Sequence, residues 1–168
     1  MQFQTRTKNQ QLAFSSVLAT LGLIFSYIEA IFPFSVGIPG VKLGIANLVV
    51  IIAMYVLGNS YAISINVIRI LVAGLLFSGP FGAIYSLAGA ITSLLTMIIL
   101  KKTGWFSVVG VSMAGGVMHN VGQLIVAASI ISNLKVFYYF PVLLFSGMIT
   151  GIIIGVISHI ILKKIGHR

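Results

Sequence analysis

The sequence has no cysteine, and among its 168 residues Glu29 is the only acidic one. Without thiolates, the chain forms no disulfide and no cysteine-ligated metal site. Chemistry on a magnesium-bound diphosphate normally needs several carboxylates, and a serine–histidine–acid site needs an acid beside its histidine. A phosphate-binding P-loop motif is also missing, so the chain does not hydrolyse ATP itself. We therefore expect no catalytic residue, no resident metal and no cofactor in this chain.

Charge of either sign is scarce. Charged residues make up 7% of the sequence and hydrophobic residues make up 59%. A water-soluble helical domain needs a polar face on its helices, and long stretches of this sequence offer none. The first apolar run is too long for a cleavable signal peptide, and no convincing small-residue cleavage site follows it. The composition indicates an integral membrane protein of one domain.

Six apolar stretches are each close to the ~20 residues that cross a bilayer core. They are residues 11–32, 42–58, 61–78, 80–100, 106–132 and 137–162. Gly58-Asn59-Ser60 separates the second stretch from the third, and Ser78-Gly79-Pro80 separates the third from the fourth, so we predict two tight helical hairpins. The predicted fold is an all-α integral membrane protein with six transmembrane helices.

The basic residues predict an orientation. The formal net charge is +9, which in a soluble protein would suggest a nucleic-acid partner. Here the cations fall mainly at helix ends. With a cytoplasmic N-terminus, one side receives Arg6, Lys8, Lys101, Lys102, Lys163, Lys164 and Arg168. The other side receives Lys42 and Lys135, and this bias follows the positive-inside rule. We expect a multi-pass protein of the cell membrane with both termini in the cytoplasm and no nucleic-acid partner.

A turn, a cation and an amide lie close together at the start of the second stretch. Pro39-Gly40 predicts the turn, Lys42 follows it, and Asn47 comes about one and a half helical turns later. In one interpretation, Lys42 extends to the membrane interface and Asn47 hydrogen-bonds to a neighbouring helix. In the other, both side chains contact a polar ligand. This segment alone leaves both interpretations open.

Arg69 lies in the middle of the third stretch, with Asn66 one turn away on the same face. A charge at membrane depth costs at least ~2.5–3.5 kcal/mol, so Arg69 should face the bundle interior or water and have a partner. Glu29 is the only carboxylate available for an ion pair with Arg69, and Lys42 competes for it. The alternative to a static pair is that Arg69 or Lys42 meets an anionic ligand.

Three hydrogen-bonding side chains lie within about one turn of the fifth stretch. His119 and Gln123 are at positions i and i+4, and Asn120 is beside them. Burying such groups in a bilayer is costly unless they are hydrogen-bonded. They suit either a network between helices or a polar ligand. One histidine without neighbouring carboxylates or thiolates does not form a closed metal site.

Stripes of small residues predict where helices pack closely. The longer stripes are Gly147, Gly151 and Gly155 on the last stretch and Gly82, Ser86 and Ala90 on the fourth. On the first stretch, Ser15 and Ala19, or Ser16 and Thr20, form a shorter one. Packing within the chain explains each stripe. Docking of a separate membrane subunit is the alternative, and the face carrying Ser15 and Ala19 is where we expect it.

Several segments together resemble a known family. They are Pro39 to Asn47 (PGVKLGIAN), Arg69-Ile70, Gly115 to Gln123 (GGVMHNVGQ) and the glycine-rich stretch from Gly147 to Gly155. In these residues, the sequence resembles the membrane proteins described as heptaprenyl diphosphate synthase component I, also called the Gx transporter family. The resemblance extends over nearly the whole chain from about residue 11.

The resemblance has two implications. The synthase name implies a noncatalytic membrane partner of an enzyme that makes a long prenyl diphosphate for quinones. The family is also similar to the substrate-binding S components of energy-coupling factor (ECF) transporters. Those six-helix proteins, with both termini inside, capture a vitamin-like solute from outside and dock on a membrane coupling subunit driven by two ATPases.

The predicted topology agrees with the transporter implication, and the scarcity of carboxylates argues against a catalytic synthase. We therefore prefer the transporter implication, with a noncatalytic membrane partner of the synthase and a structural scaffold as the alternatives. A small polar or anionic solute, a coupling subunit and ATPases would then be the partners. The loops at 33–41 and 132–136 would cover the pocket. The residues expected to line or support the pocket are Lys42, Asn47, Arg69, His119, Asn120 and Gln123.

Overall fold

In a computed structural model of the protein, residues 7–32 and 44–166 are described, and they form six α-helices and no strand. The helices are α1 (Lys8–Ile31), α2 (Ile45–Val56), α3 (Asn59–Ala73), α4 (Gly79–Thr103), α5 (Val108–Ile131) and α6 (Phe140–Lys164). A π-helical turn (Gly74–Ser78) joins α3 to α4, and a 3-10 turn (Leu134–Tyr139) precedes α6. The predicted all-α fold is confirmed. The helix ends lie within a few residues of the predicted ones, although residues 42 and 43 of the second stretch are outside the described part.

Four helical runs in the described part are long and apolar enough to cross a membrane. They are Lys8–Ile31, Asn59–Thr103, Val108–Ile131 and Leu134–Lys164. α2 has 12 residues, which is about 18 Å at the helical rise and less than the ~30 Å of the hydrocarbon core. The protein is therefore membrane-embedded, whereas six crossings with cytoplasmic termini stay a prediction.

The run from Asn59 to Thr103 folds back on itself. Gly79 has a φ of +69°, which glycine adopts without a steric penalty, and Pro80 fits the first turn of α4. A Cβ atom built on Gly74 would lie 2.7 Å from the Cβ of Ala83. In a straight helix, residues so far apart in sequence would be separated by about 13 Å. The predicted hairpin between the third and fourth stretches is thus confirmed.

Side-chain contacts show the directions of the first three helices. The backbone N–H of Ile45, at the start of α2, donates to Oε1 of Glu29, near the end of α1, at 2.9 Å. The hydroxyl of Tyr61, near the start of α3, donates to Oε1 of Gln11, near the start of α1, at 3.2 Å. α2 therefore runs antiparallel to α1, and α3 runs parallel to α1.

α5 and α6 pack as close antiparallel neighbours. The Ser112 hydroxyl donates to the carbonyl oxygen of Gly151 at 2.7 Å, and the Asn120 amide donates to that of Leu143 at 2.6 Å. A Cβ atom on Gly151 would lie 2.7 Å from the Cα of Met113. The glycine stripe of the last stretch is therefore used for packing within the chain.

α2 supplies much of the core. Each residue from Val49 to Met54 is at most 8% exposed, and a helix that is apolar on all sides is typical of a buried position. The other helices expose large apolar side chains on their outer faces, including Leu12 at 64% and Ile99 at 61%. Such outer faces suit contact with lipid.

Most described lysines lie at one end of the bundle, which we call the basic end. They are Lys8, Lys101, Lys102, Lys163 and Lys164. The Lys101 ammonium group contacts the end of α2 and lies 3.5 Å from Oδ1 of Asn59 at the start of α3. Lys135 lies at the opposite end. The separation of basic residues predicted from the sequence is therefore present in the described part of the chain.

Candidate ligand-binding cavity

A polar cavity of about 300 Å³ lies among the helices at the end opposite the basic end. Five of the six predicted ligand-binding residues line it, namely Asn47, Arg69, His119, Asn120 and Gln123. The sixth, Lys42, lies outside the described residues. The structure thus brings together residues that are far apart in sequence, and their contact with a ligand stays a prediction.

The helix directions explain this convergence. α1 and α3 both run toward the cavity end, so their second halves contribute Glu29 and Arg69. α2 starts at that end and places Asn47 in its first turn. α5 crosses the bundle beside α4 and α6, and its middle carries His119 and Gln123. At least one polar residue from each of the six helices therefore lines the same space.

Arg69 is held in the cavity wall by neutral oxygen atoms. Its Nη1 donates to the hydroxyl of Ser26 at 2.9 Å, and its Nη2 donates to Oδ1 of Asn66 at 2.5 Å. Its Nε is buried and has no hydrogen-bond partner among the described residues. A Cβ atom built on Gly22 would lie 3.1 Å from the Cδ of Arg69. Gly22 therefore makes room for the stem of the arginine side chain.

The Glu29 carboxylate caps the amino end of α2. It lines the cavity, and its Oε1 accepts from the Ile45 N–H at 2.9 Å. Gly44, which precedes α2 with a φ of +70°, has no side chain to make this bond. A carboxylate is favourable there because the amino end of a helix carries partial positive charge. Glu29 and Arg69 also attract each other electrostatically, but their hydrogen bonds go to other groups, so the direct ion pair stays a prediction.

The polar side chains of α5 have different surroundings. Asn120 donates to the Leu143 carbonyl and so holds α5 against α6. A Cβ atom on Gly89 would lie 2.8 to 2.9 Å from the His119 ring, so that glycine gives the imidazole its space. Gln123 is 3% exposed. Neither Gln123 nor Asn47 makes a side-chain hydrogen bond to another described residue.

The predicted docking face on α1 is partly turned inward. Ser15 is 8% exposed and donates to the Leu12 carbonyl, and Ala19 packs against the core. Ser16 and Thr20 are exposed. A membrane partner that approaches α1 would therefore meet Ser16 and Thr20, and such docking stays a prediction.

Sequence reasoning missed both residues that position Arg69: Ser26, which lines the cavity, and Gly22, which lies against the arginine stem. Ser26 is a common residue in a membrane helix and carries no distinctive pattern, yet it receives a bond from Arg69. Gly22 has no glycine partner at helical spacing that would mark it. In contrast, the shared face of Arg69 and Asn66 was predicted and is confirmed by their hydrogen bond. In the described part of the chain, no group of three or more histidine, cysteine, aspartate or glutamate residues is placed to hold a metal ion.

Comparison with known proteins identifies the family. Residues 18–161 match the sequence model of a family described as heptaprenyl diphosphate synthase component I. No curated protein and no solved structure matches the chain at a significant level. The family match covers most of the chain and includes every described residue that lines the cavity. The chain therefore belongs to the heptaprenyl diphosphate synthase component I family and is a membrane-embedded member of it.

Proposed function

We propose that this protein is the substrate-binding S component of an ECF-type uptake transporter and is not itself an enzyme. It crosses the cell membrane six times and captures a small polar or anionic solute from outside. The observation that carries this proposal is the polar cavity of about 300 Å³ between the helices. Unsatisfied polar groups are costly inside a membrane. A chain that arranges a guanidinium group and amides around a cavity therefore has a use for their hydrogen-bonding capacity.

The charge distribution supports the direction of uptake. The positive-inside rule places the basic end in the cytoplasm, so the cavity lies in the outer half of the protein and both termini are cytoplasmic. α1 ends and α2 begins at the cavity end, and the segment at 132–136 lies there between α5 and α6. The predicted cover at 33–41 lies outside the described residues. The sequence has no nucleotide-binding motif, so energy comes from separate ATPases through a coupling subunit.

A second candidate function is supported by the family description. In this alternative, the protein is a noncatalytic membrane partner of a heptaprenyl diphosphate synthase. Lys102, Lys163 and Lys164 are exposed at the basic end and offer a surface for a soluble enzyme. The cavity residues would then be dispensable for the complex.

Native mass spectrometry of the tagged chain, extracted gently from its host membrane, separates these two functions. The transporter proposal predicts a copurifying coupling subunit, ATPases and a small bound molecule. The small molecule should be reduced in Gln123→Ala and His119→Ala, while Lys102→Gln should retain it. Copurification of a soluble prenyl diphosphate synthase, with no small molecule in any preparation, would contradict the transporter proposal and support the alternative.

A further inference from the structure

Building on the proposed function, we infer the chemical class of the solute. The cavity selects a small hydrophilic anion and excludes prenyl chains. The acidic group of the solute, a carboxylate or a phosphate, meets Arg69. Its uncharged polar part meets the amides of Asn47 and Gln123.

The first argument is the charge balance of the cavity wall. Both hydrogen-bond partners of the Arg69 guanidinium group, Ser26 and Asn66, are neutral. The carboxylate in the wall, Glu29, is hydrogen-bonded to the amino end of α2. Arg69 lines the cavity, and its bonds to Ser26 and Asn66 use two of the five N–H groups of its guanidinium group. Carboxylates and phosphates are the groups that a guanidinium binds best, because their oxygens match its planar set of donors. An anionic group of the solute would therefore give the Arg69 guanidinium group a charged hydrogen-bond acceptor, whereas Ser26 and Asn66 are neutral.

The second argument is the size of the cavity. A cavity of about 300 Å³ is at the small end of the roughly 300–1,000 Å³ that is typical of small-molecule sites. A heptaprenyl chain is several times larger than this. The solute is therefore a small molecule, even if part of it extends from the cavity.

The third argument is the polarity of the lining. Among the described residues, no phenylalanine, tyrosine or tryptophan lines the cavity, and Ile70 is its one large aliphatic residue. Sites for apolar ligands are lined mainly by hydrophobic and aromatic side chains. The walls here combine small residues with hydroxyl, amide and charged groups. They suit a hydrated molecule better than an apolar one.

The fourth argument is the hydrogen-bonding capacity that the fold leaves unused. Asn47 and Gln123 approach from α2 and α5, and each offers an amide donor and an amide acceptor. The amide nitrogen of Asn120, in contrast, is already bonded to Leu143. We therefore assign Asn47 and Gln123 to solute recognition and Asn120 to the packing of α5 against α6.

The test is a thermal-shift and calorimetry screen of the purified full chain in lipid nanodiscs. One set of probes contains hydroxy acids and sugar acids, and a second contains glycerol phosphate and sugar phosphates. A third set contains the corresponding uncharged polyols and sugars, and a fourth contains geranyl and farnesyl diphosphate. We expect binders in the first or second set and none in the other two. Which of the first two sets binds distinguishes a carboxylate from a phosphate.

Variants connect the binding to the assigned residues. For a probe that binds the wild-type protein, we expect Arg69→Gln to weaken binding roughly tenfold or more. Asn47→Ala and Gln123→Ala should each weaken it less, and Lys102→Gln should leave it unchanged. The two alanine variants keep the test valid if Arg69→Gln does not fold.

The outcomes separate this inference from the proposed function. Binders confined to the uncharged or prenylated sets would contradict the inference and leave solute uptake in place. The absence of binders in every set would contradict the proposed function as well. Anionic binders whose affinity is unchanged by all three cavity variants would overturn the assignment of the residues.

Discussion

Individual glycines control the space around the charged and aromatic side chains of the cavity. Gly22 lies against the stem of Arg69, and Gly89 lies against the ring of His119. In each case a methyl group in place of the glycine hydrogen would meet a cavity side chain rather than open space. The positions of the polar groups therefore depend on residues that contact no solute.

This dependence can be tested at Gly22. In Gly22→Ala, the new methyl group would lie 3.1 Å from the Cδ of Arg69, so the guanidinium group must shift relative to Ser26. We expect anionic probes to bind several-fold more weakly, with little change in the melting temperature, because the neighbour that moves is a flexible side chain. Calorimetry in the nanodiscs measures the binding affinity, and thermal unfolding in the same nanodiscs measures the melting temperature.

Gly110→Ala is the control for this substitution. It is also a helical glycine, but a Cβ atom there would lie 3.6 Å from its nearest neighbour, which is an ordinary contact distance. The Gly110→Ala variant should bind the anionic probes with the affinity of the wild-type protein. Equal affinity in Gly22→Ala would show that the arginine does not need the space that Gly22 provides.

At the residue scale, the sequence predicted the unusual polar groups but not their roles. Arg69, His119 and Gln123 are conspicuous because membrane helices rarely contain such residues. The difference between Asn120 and Asn47 could not be predicted, because both are asparagines in apolar helices. That difference depends on a carbonyl group of α6 that only the folded chain brings near.

Both ends of α2 are hydrogen-bonded to side chains of other helices. Glu29 of α1 bonds to the amino end of α2, and Lys101 of α4 bonds to its carboxyl end. At its carboxyl end, the Gly58 N–H bonds to the carbonyl of Ala53, and the Met54 carbonyl accepts from Lys101 Nζ. The same ammonium group lies 4.8 Å from the centre of the Tyr55 ring. The helix dipole favours a negative charge at the amino end, where Glu29 lies, and a positive charge at the carboxyl end, where Lys101 lies.

Lys101 and Lys102 provide a matched pair for testing this arrangement. Lys101→Met should lower the free energy of unfolding by about 1–3 kcal/mol, because a carbonyl at the end of α2 loses a charged donor and Tyr55 loses a cation. Lys102 is exposed, so Lys102→Met should leave stability unchanged. Thermal unfolding of both variants in one detergent measures the difference. Equal melting temperatures would mean that Lys101 does not stabilise α2.

At the element scale, turn residues predicted the helix ends well. Gly58 and Gly79 both have positive φ values, and both lie where the sequence predicted hairpins. The role of Lys101 could not be predicted, because Lys101-Lys102 has the composition of an ordinary membrane-interface pair. The inward position of Ser15 was also missed, because α1 is apolar on most sides and its pattern does not show which face packs.

For the whole molecule, the separation of charge predicts the orientation in the membrane. Lysines in the described part of the chain gather at the basic end, whereas Lys135 lies near the cavity end. By the positive-inside rule, this separation predicts that the cavity faces outward. Because the chain contains no cysteine, single cysteines can report this orientation without background labelling.

We expect Lys135→Cys to react with a membrane-impermeant maleimide in intact cells. Lys102→Cys should react only after the cells are permeabilised. Both positions are exposed in the structure, so a difference between them reports the side of the membrane. The reverse pattern would place the cavity toward the cytoplasm and contradict uptake from outside.

The arrangement at the ends of α2 also constrains the order in which the chain is assembled during synthesis. Glu29 leaves the ribosome 16 residues before Ile45, so the amino end of α2 has its partner from the start. Lys101 follows Met54 by 47 residues. The carboxyl end of α2 must therefore wait until α3 and α4 have been translated. For a helix too short to cross the bilayer unaided, the contact between Lys101 and its carboxyl end can therefore form only after most of α4 has been translated.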